Sequence, residues 1–483
     1  MGLQFSDDGP EFPSALIEEL RRGEVVFLCG AGVSAPQMPG FEGLVTSVYE
    51  RGGWEPNASE QLSFDGGRFE EGLGTLARRL SQPSALYDTV ADVLRIPARP
   101  DLSHHRTLLR LSRRLDNQPI IVTTNFDTLF ERAARKSLGG AIHELSHSGQ
   151  SLPAPGGVGF AGIIHLHGRL EDKSLGLRRT ELVLTSAEYG DAYMRSGWAS
   201  RFLFDLARCR TVVLIGYSAG DAPVRYFLNV LEADRDRFSD LRVVYALDAD
   251  QGRGRQGVHD AWGALAVVPL PYLTGDTPSK GGRHDALWAD LAQLADVVEK
   301  PRASRAKAAR RILALPLKST ATRDRETLDW ALERRNDQFP LIKEITQDPA
   351  WLDYMREQKL LPRDMAPHVM ADWCENRWTE QVALDAAIGW TDRLGSEFGQ
   401  ALETSLWRGR LPIAPEPWRL AWRLLARATP RTENANHLAY SSRLRQPRRA
   451  SRIGGLGRET GRFGCACGLS KPPQRFPTWP TTP

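Results

Sequence analysis

The sequence predicts an α/β fold with a doubly wound parallel sheet, followed by an α-helical C-terminal region and a basic tail. Two observations predict it. Short apolar runs alternate with helical patterns up to Lys300, and several runs end directly in small or polar residues. Strands of a parallel sheet are buried on both faces, so they read as continuous apolar runs with helices between them. Because ligands bind at the carboxyl ends of such strands, the residues that end the runs form the candidate site.

The predicted elements follow in chain order. Strand-like apolar runs occupy residues 25–28, 120–122, 162–166, 182–184, 211–215, 241–247 and 266–270. Apolar residues three and four apart, with polar caps such as Thr185 or Ser186, predict helices. The predicted helices cover residues 14–22, 41–49, 70–79, 84–94, 102–115, 128–136 and 222–233.

Three domains are expected: a sheet domain at 14–300, a helical regulatory or interaction domain at 301–440, and a disordered basic tail at 441–483. Eight tryptophans between residues 323 and 427 are interpreted as core fillers, and the alternative is a stacking surface for nucleic acid bases. The tail carries nine basic residues and one acidic residue, so the net charge of +4 leaves the rest of the chain mildly acidic. Nucleic acid binding is therefore not indicated.

Composition predicts an ordinary globular protein of the cytoplasm. Of 483 residues, 41% are hydrophobic and 25% are charged, which is typical of soluble domains. No apolar run approaches the ~20 residues of a membrane helix, and the acidic N-terminus does not resemble a secretory signal. The five cysteines form no disulfide framework. Cys29 and Cys209 lie in apolar, strand-like runs and are expected to be buried, reduced thiols.

A glycine turn follows the first apolar run. Gly30-Ala31-Gly32 lets the backbone approach a pyrophosphate closely, and Ser34 offers a hydroxyl to phosphate or to the next helix. Such a turn is also a common structural corner, and the usual GxGxxG pattern is incomplete because Ala35 replaces its last glycine. The acidic residue expected on a ribose about 20 positions later has one candidate, Glu50.

Polar residues end two further runs. In Thr123-Thr124-Asn125-Phe126-Asp127, Asn125 lies beside the expected pocket, where its amide can bond a ribose or a water. Asp127 is explained equally well as a helix N-cap. Gly216 and Ser218 end the run at 211–215, and Ser218 is either a ribose or phosphate contact or a helix cap.

Two histidines, His165 and His167, lie at the end of the third run, before Gly168. Side chains alternate along a strand, so both are expected on the same side of the sheet. His167 is the candidate general base towards a hydroxyl or water, because histidine titrates near neutral pH. For His165 the preferred interpretation is a core histidine bonded to a carbonyl. No third ligand with metal-binding spacing accompanies the pair.

Taken in order, these segments resemble the Sir2 (sirtuin) superfamily, in particular the bacterial Sir2-like NADase domains of antiphage defence proteins. The resemblance covers residues 14–298 and rests on GAGVS at 30–34, TTNFD at 123–127, HLHG at 165–168, LVLTSAEY at 182–189 and GYS at 216–218. It implies a Rossmann-like sheet that binds NAD and cleaves its nicotinamide glycosidic bond through an oxocarbenium-like state.

The resemblance also implies roles for single residues. His167 is the general base, and it acts together with Asn125 at the nicotinamide ribose. The glycine turn holds the pyrophosphate, and the turn after the run at 211–215 contacts the adenosine half. The residues expected to bind NAD are Gly30, Ala31, Gly32, Ser34, Asn125, Asp127, Gly216 and Ser218.

Two departures from the family pattern favour water as the acceptor of the ADP-ribosyl group. Deacylases of the family carry two cysteine pairs for zinc after the catalytic histidine, whereas Cys209 is the only cysteine between His167 and residue 300, so no zinc is expected. In addition, Gly40 and Glu42 flank Phe41, where deacylases have an aspartate and an arginine. The zinc lobe helps form the acyl-lysine groove, so a chain without it is expected to use water.

We therefore expect an NAD glycohydrolase that yields ADP-ribose and nicotinamide and acts as an NAD-depleting antiphage effector. The alternatives are an NAD-dependent protein deacylase or ADP-ribosyltransferase, and a non-catalytic sensor of NAD-derived ligands. The expected partners are NAD, a phage-derived trigger or partner protein at the helical domain, and further copies of the chain in a homo-oligomer. No membrane partner is expected.

Overall fold

A seven-stranded sheet, parallel throughout, forms the centre of the protein and confirms the predicted fold class. The computed structural model describes residues 2–35, 37–217, 228, 231–232, 240–263, 265–274, 284–333, 342, 346–377 and 380–408. Its strands are β1 (Gly2–Leu3), β2 (Phe12–Pro13), β3 (Val25–Cys29), β4 (Ile120–Thr123), β5 (Ser146–Ser148), β6 (Gly162–His165), β7 (Thr211–Ile215), β8 (Val244–Ala249) and β9 (Val268–Tyr272). β1 and β2 form a separate antiparallel pair.

The order of strands defines where a ligand binds. Across the sheet the order is β5-β6-β4-β3-β7-β8-β9. The chain runs from β3 through β4 to β6 on one side, and then continues with β7, β8 and β9 on the other side of β3. Apart from the edge strand β5, this is the order of the dinucleotide-binding α/β sheet, whose ligand lies where the order reverses. The expected crevice therefore opens between the carboxyl ends of β3 and β7.

Helices cover both faces of this sheet. They are α1 (Ser14–Arg21), α2 (Phe41–Gly52), α3 (Ala58–Asp65), α4 (Phe69–Arg79), α5 (Ser84–Val93), α6 (Ser103–Leu111), α7 (Leu129–Leu138), α8 (Ser186–Gly190), α9 (Trp198–Cys209), α10 (Gly254–Trp262) and α11 (Asp285–Glu299). Short 3₁₀ turns occupy Ala31–Val33, Gly139–His143 and Leu317–Ser319, and a π-helical turn at Asp191–Arg195 joins α8 to α9.

The alternation of side chains along β3 divides the core of the sheet domain. Val26 and Leu28 pack with α9 on one face, and Phe27 and Cys29 pack with α1, α6 and α7 on the other. A third apolar cluster joins α2, α4 and α5 to Leu182 and neighbouring residues of the segment that follows β6. Phe126, three residues after β4, belongs to the same cluster, so it lies beside the carboxyl edge of the sheet.

A helical region follows the sheet domain, as the sequence predicts. Its described helices are α12 (Pro301–Leu313), α13 (Thr322–Leu332), α14 (Ala350–Glu357), α15 (Ala366–Asn376), α16 (Gln381–Leu394) and α17 (Ser396–Arg408). Trp330, Trp351, Trp373 and Trp390 are buried between them and act as core fillers. The side chains of the other four predicted core tryptophans and the tail at 441–483 lie outside the described residues, as does most of the predicted helix at 222–233. No helix in the described part is long and apolar enough to cross a membrane.

Two local expectations are wrong, and one strand was not predicted. Cys209 ends helix α9 and is partly exposed, rather than lying buried in a strand. Residues 182–184 form no strand, because the Val183 N–H donates to the His167 carbonyl oxygen and the Leu184 N–H to the Glu188 carboxylate. The edge strand β5 escaped prediction because it has three residues and no apolar run.

Candidate functional site

The sequence segments that begin at Gly30, Thr123, His165 and Gly216 lie at the ends of four adjacent strands. The sheet order places β6, β4, β3 and β7 side by side, and their shared direction brings all four carboxyl ends to one edge. Hydrogen bonds join neighbouring segments. The Thr124 N–H donates to the Cys29 carbonyl oxygen at 3.1 Å, and His165 Nδ1 lies 3.0 Å from the Asn125 carbonyl oxygen. The segments thus converge as predicted, while the ligand-binding roles of their residues stay predictions.

The glycine turn after β3 packs backbone against backbone on the turn after β7. The Gly32 N–H donates to the Gly216 carbonyl oxygen at 3.2 Å, and Gly216 has a φ of +74°. A Cβ atom on Gly30 would lie 2.5 Å from that same carbonyl oxygen, so no side chain fits there. Gly32 is exposed and Ala31 half-buried, which leaves this turn accessible from the crevice. Ser218 lies outside the described residues.

The side chain of Asn125 spans the gap between β4 and the glycine turn. Its Nδ2 donates to the Gly30 carbonyl oxygen at 3.1 Å and to Ser34 Oγ at 3.2 Å. The Asn125 N–H donates to Thr123 Oγ1 at 3.0 Å. Because the Gly30 carbonyl only accepts, the orientation of the amide is fixed, and Oδ1 is the atom left for a ligand hydroxyl or water.

Ser34 is turned into a buried polar cluster. Its hydroxyl donates to Asp127 Oδ2 at 2.9 Å. Asp127 Oδ1 accepts the Leu129 N–H at 3.0 Å, so Asp127 does cap the start of α7. Burial raises the pKa of the Asp127 carboxyl group. A phosphate that bonds the Ser34 hydroxyl therefore has to compete with this carboxylate, and phosphate binding by Ser34 stays a prediction.

Sequence reasoning missed His105, a residue of α6 that joins this cluster. Its Nε2 lies 3.3 Å from Ser34 Oγ. Because the single hydroxyl proton of Ser34 goes to Asp127, Nε2 is the nitrogen of His105 that carries a proton. Burial lowers the pKa of His105 to about 3, so the ring is neutral at pH 7. The signal was helical spacing, since His105 precedes Leu108 and Leu111 by three and six residues and shares their buried face.

His165 is buried between two hydrogen-bond acceptors. Nδ1 faces the Asn125 carbonyl oxygen, and Nε2 lies 2.7 Å from Glu131 Oε1. A neutral imidazole carries one N–H, so an imidazolium opposite a carboxylate is the pairing that satisfies both nitrogens. Burial opposes the charges, but Glu131 raises the pKa of His165, and His165 lowers the pKa of Glu131. The interpretation of His165 as a core histidine bonded to a carbonyl agrees with this geometry.

His167 lies against aromatic rings. Its Nε2 is 2.7 Å from the Tyr193 hydroxyl oxygen, and its ring packs edge-on against Tyr189 with centroids 5.2 Å apart. Desolvation by burial lowers the pKa of His167 to about 3, so the ring is neutral at pH 7. A neutral imidazole beside a hydroxyl has the form that a general base requires.

His165 and His167 make their side-chain contacts in different directions, so the expectation that both lie on the same side of the sheet is wrong. β6 ends at His165, and the chain turns at Gly168, whose φ is +85°. Strand alternation therefore does not extend to His167. His165 faces Glu131 of α7, whereas His167 faces Tyr193 of the π-helical turn.

Other candidate ligands lie elsewhere. Glu50 is exposed on α2 rather than at the end of a strand. The acidic residues at the carboxyl end of β8 are Asp248, which accepts from Trp262 Nε1 at 2.9 Å, and Asp250, which accepts from the Thr274 N–H at 2.8 Å. Among the residues whose placement is described, no group of three or more His, Cys, Asp or Glu side chains is arranged to hold a metal ion.

Comparison with known proteins agrees with this architecture. The family model described as SIR2-like domain matches residues 119–265, which include β4, both histidines and Gly216. Protein y4cA of Sinorhizobium fredii (strain NBRC 101917 / NGR234), described as uncharacterized, is 47% identical over 422 residues, which are 87% of this chain and 35% of that protein. The chain thus spans about a third of the length of this curated relative. Residues 119–265, which carry Asn125 and His167, thus match a SIR2-like domain, and this match supports membership in the Sir2 superfamily.

Proposed function

We propose that this chain is an NAD glycohydrolase that transfers the ADP-ribosyl group of NAD to water. A Sir2-like domain implies the use of NAD. The observation that carries the proposal is the environment of His167. A neutral, buried imidazole faces a hydroxyl group at the same sheet edge as Asn125 and the glycine turn. This arrangement suits proton transfer from a ribose hydroxyl or a water next to a bound dinucleotide.

The proposed reaction breaks the bond between the ribose carbon and the nicotinamide nitrogen. Nicotinamide leaves with the bonding electrons as a neutral molecule, and a water oxygen bonds to the ribose carbon. The proton of that water passes to His167 and then to solvent. Each NAD thus yields one ADP-ribose, one nicotinamide and one proton. Asn125 Oδ1 orients the water or a ribose hydroxyl, and the exposed turn at Gly32 receives the pyrophosphate.

The Tyr193 hydroxyl takes the position on His167 that a substrate hydroxyl requires. Its oxygen lies 2.7 Å from His167 Nε2. A base with a pKa of about 3 accepts protons poorly at pH 7. Substrate that displaces Tyr193 brings water and a ribose hydroxyl to His167, and the relief of desolvation raises its pKa. Tyr193 lies in a π-helical turn, a feature often found at functional sites. We therefore assign this arrangement to a resting form.

Water is the acceptor that we favour over a protein side chain. Sir2-type deacylases carry a zinc module with four cysteines, and the sequence between His167 and residue 300 contains only Cys209. Cys209 ends α9, just before the amino-terminal end of β7, and is therefore remote from the carboxyl edge of the sheet. In deacylases this module helps form the acyl-lysine groove. The stretch between His167 and residue 300 lacks its four cysteines, which supports hydrolysis.

Control of this activity is assigned to the helical region. Arg110 of α6, the helix that carries His105, forms ion pairs of 2.7 Å with Glu299 and 2.6 Å with Asp296 of α11. Helix α12 begins two residues after Glu299. Helix α11 and Arg110 thus connect the start of the helical region to α6 and, through His105, to the cluster at Ser34. We propose that a phage-derived trigger or an assembly of several copies acts along this route, and that NAD depletion is the antiphage response.

Product analysis separates the proposed activity from its alternatives. Purified protein is incubated with NAD, with and without an acyl-lysine peptide, and the products are identified by mass spectrometry. We expect ADP-ribose and nicotinamide in both samples. O-acyl-ADP-ribose would establish the deacylase alternative, and an ADP-ribosylated protein would establish the ADP-ribosyltransferase alternative. Binding of NAD without turnover, also in lysate of phage-infected cells, would establish the sensor.

A further inference from the structure

We infer that His165 and Glu131 are positioning residues that hold the backbone carbonyl of Asn125 and thereby aim its side chain at the crevice. The kinetic consequence rests on the proposed function, because Asn125 is there a catalytic residue. The ion pair itself rests on geometry alone. Neither residue contacts the crevice through its own polar atoms, since His165 and Glu131 are both fully buried.

The two nitrogens of His165 have different tasks. Nε2–H donates to Glu131 Oε1 at 2.7 Å, which fixes the ring against α7. Ser146 Oγ donates to the same Glu131 oxygen at 2.5 Å and ties it to β5. Nδ1–H then donates across to the Asn125 carbonyl at 3.0 Å. The ring therefore bridges a rigid helix and the loop that carries Asn125.

The hydrogen bond from His165 to the Asn125 carbonyl completes the set of bonds that hold Asn125. Its N–H is bonded to Thr123 Oγ1, and its Nδ2 is bonded to the Gly30 carbonyl and to Ser34. Without His165, the peptide that follows Asn125 has lost its restraint, and the amide can swing about the remaining bonds. A shift of about 1 Å in a catalytic group lowers turnover by up to about 100-fold.

The charged groups around His165 identify Glu131 as its partner. Asp127 precedes α7 and is bonded to Ser34 and the Leu129 N–H. Arg169 follows β6, and its guanidinium donates to the Ser146 carbonyl at 3.0 Å; its positive charge opposes protonation of His165. Oε2 of Glu131 has no hydrogen-bond partner within the described part of the chain. The imidazolium is thus the charge that compensates the buried Glu131 carboxylate.

This arrangement predicts a pH dependence that a structural role does not. When the pH rises through the raised pKa of His165, the ring loses one proton. One of its two nitrogens then directs a lone pair at an acceptor, either the Asn125 carbonyl or the Glu131 carboxylate, and that hydrogen bond is lost. In Glu131→Gln the amide N–H donates to Nε2, so a neutral His165 keeps its proton on Nδ1 for the Asn125 carbonyl at every alkaline pH. The variant thus uncouples the hold on Asn125 from the charge of His165.

The test compares the pH profiles of kcat for NAD hydrolysis in the wild type, Glu131→Gln and His165→Phe. His147→Phe is the matched control, because His147 of β5 bonds the Ala161 carbonyl at 3.1 Å and has no part in the site. We expect kcat of the wild type to fall at alkaline pH and this fall to be absent in Glu131→Gln. His165→Phe lowers kcat by about 10- to 100-fold with little change in KM, and His147→Phe leaves kcat near the wild-type value.

Two results overturn the inference: the same alkaline profile in the wild type and Glu131→Gln, or an equal loss of kcat in His165→Phe and His147→Phe. A wild type without turnover, also in lysate of phage-infected cells, refutes the proposed function instead. The inference is then decided by NMR of ¹⁵N-labelled histidine. Two protonated nitrogens on His165 at pH 7 in the wild type and one in Glu131→Gln support it, and a single protonated nitrogen in the wild type refutes it.

Discussion

His165 and His167 lie two residues apart and occupy opposite electrostatic environments. His165 lies between a carbonyl and the Glu131 carboxylate, which raises its pKa against the effect of burial. His167 lies between tyrosine rings, no carboxylate pairs with it among the residues that the structure describes, and burial lowers its pKa to about 3. The comparison teaches that burial alone does not decide the protonation of a histidine. A hydrogen-bonded carboxylate favours the charged form of the His165 ring, whereas burial beside tyrosines favours the neutral form of the His167 ring.

The largest expected effect on turnover comes from His167, the neutral histidine of the two. His167→Ala removes the proposed base and lowers turnover of NAD by ~10² or more, the usual contribution of a general base. Binding of NAD, measured by calorimetry, changes little because the glycine turn is intact. The control His147→Ala leaves turnover unchanged. Equal turnover in wild type and His167→Ala would place the catalytic site elsewhere.

Asn125→Ala tests the residue whose backbone carbonyl His165 holds. It removes the Oδ1 acceptor and the bonds to Gly30 and Ser34, so we expect turnover to fall by about 10²-fold, the scale of one lost polar group aimed at the reacting atoms. Steady-state kinetics with the purified variant provide the measurement. A variant that retains wild-type kcat would show that Asn125 is not catalytic and would remove the reason for its support by His165.

The packing of the two turns is tested by a pair of glycine variants. Gly216→Ala places a Cβ 2.8 Å from the Val33 nitrogen at a φ of +74°, whereas Gly252 has a φ of +79° and open space around it. Each alanine costs about 1–2 kcal/mol for its backbone conformation. Thermal unfolding should show a larger loss for Gly216→Ala, accompanied by weaker NAD binding. Equal losses would mean that the turns separate without cost.

The smallest expected effect concerns Tyr193. Tyr193→Phe removes the hydroxyl that competes with substrate for His167 Nε2 while it keeps the ring. One hydrogen bond contributes about 1 kcal/mol net, so KM for NAD is expected to fall about fivefold. Initial-rate measurements over a range of NAD concentrations detect this change. A rise in KM would show that Tyr193 helps to bind the substrate rather than to exclude it.

The sequence predicted the sheet well and the contacts of the site less well. Residues 211–215 form β7 as predicted because Thr211 and the four consecutive apolar residues Val212 to Ile215 are all β-branched or aliphatic and leave little choice. Residues 182–184 are equally apolar, but the carbonyl of His167 and the Glu188 carboxylate bind their N–H groups, which local pattern does not reveal.

The protonation states of the histidines were also beyond local pattern. Glu131 and Tyr193 lie 34 residues before His165 and 26 residues after His167, respectively. Only the packing of α7 and of the π-helical turn brings them to the rings. The sequence did identify the edge at which they meet, because four runs end there in glycine, asparagine or histidine.

The most direct test of the account measures nicotinamide and ADP-ribose released from NAD by the wild type and by His167→Ala, side by side. The account predicts equal amounts of the two products from the wild type, in the absence of any peptide, and at least about 100-fold less from the variant. Nicotinamide without matching ADP-ribose, or the same release from both proteins, would contradict it.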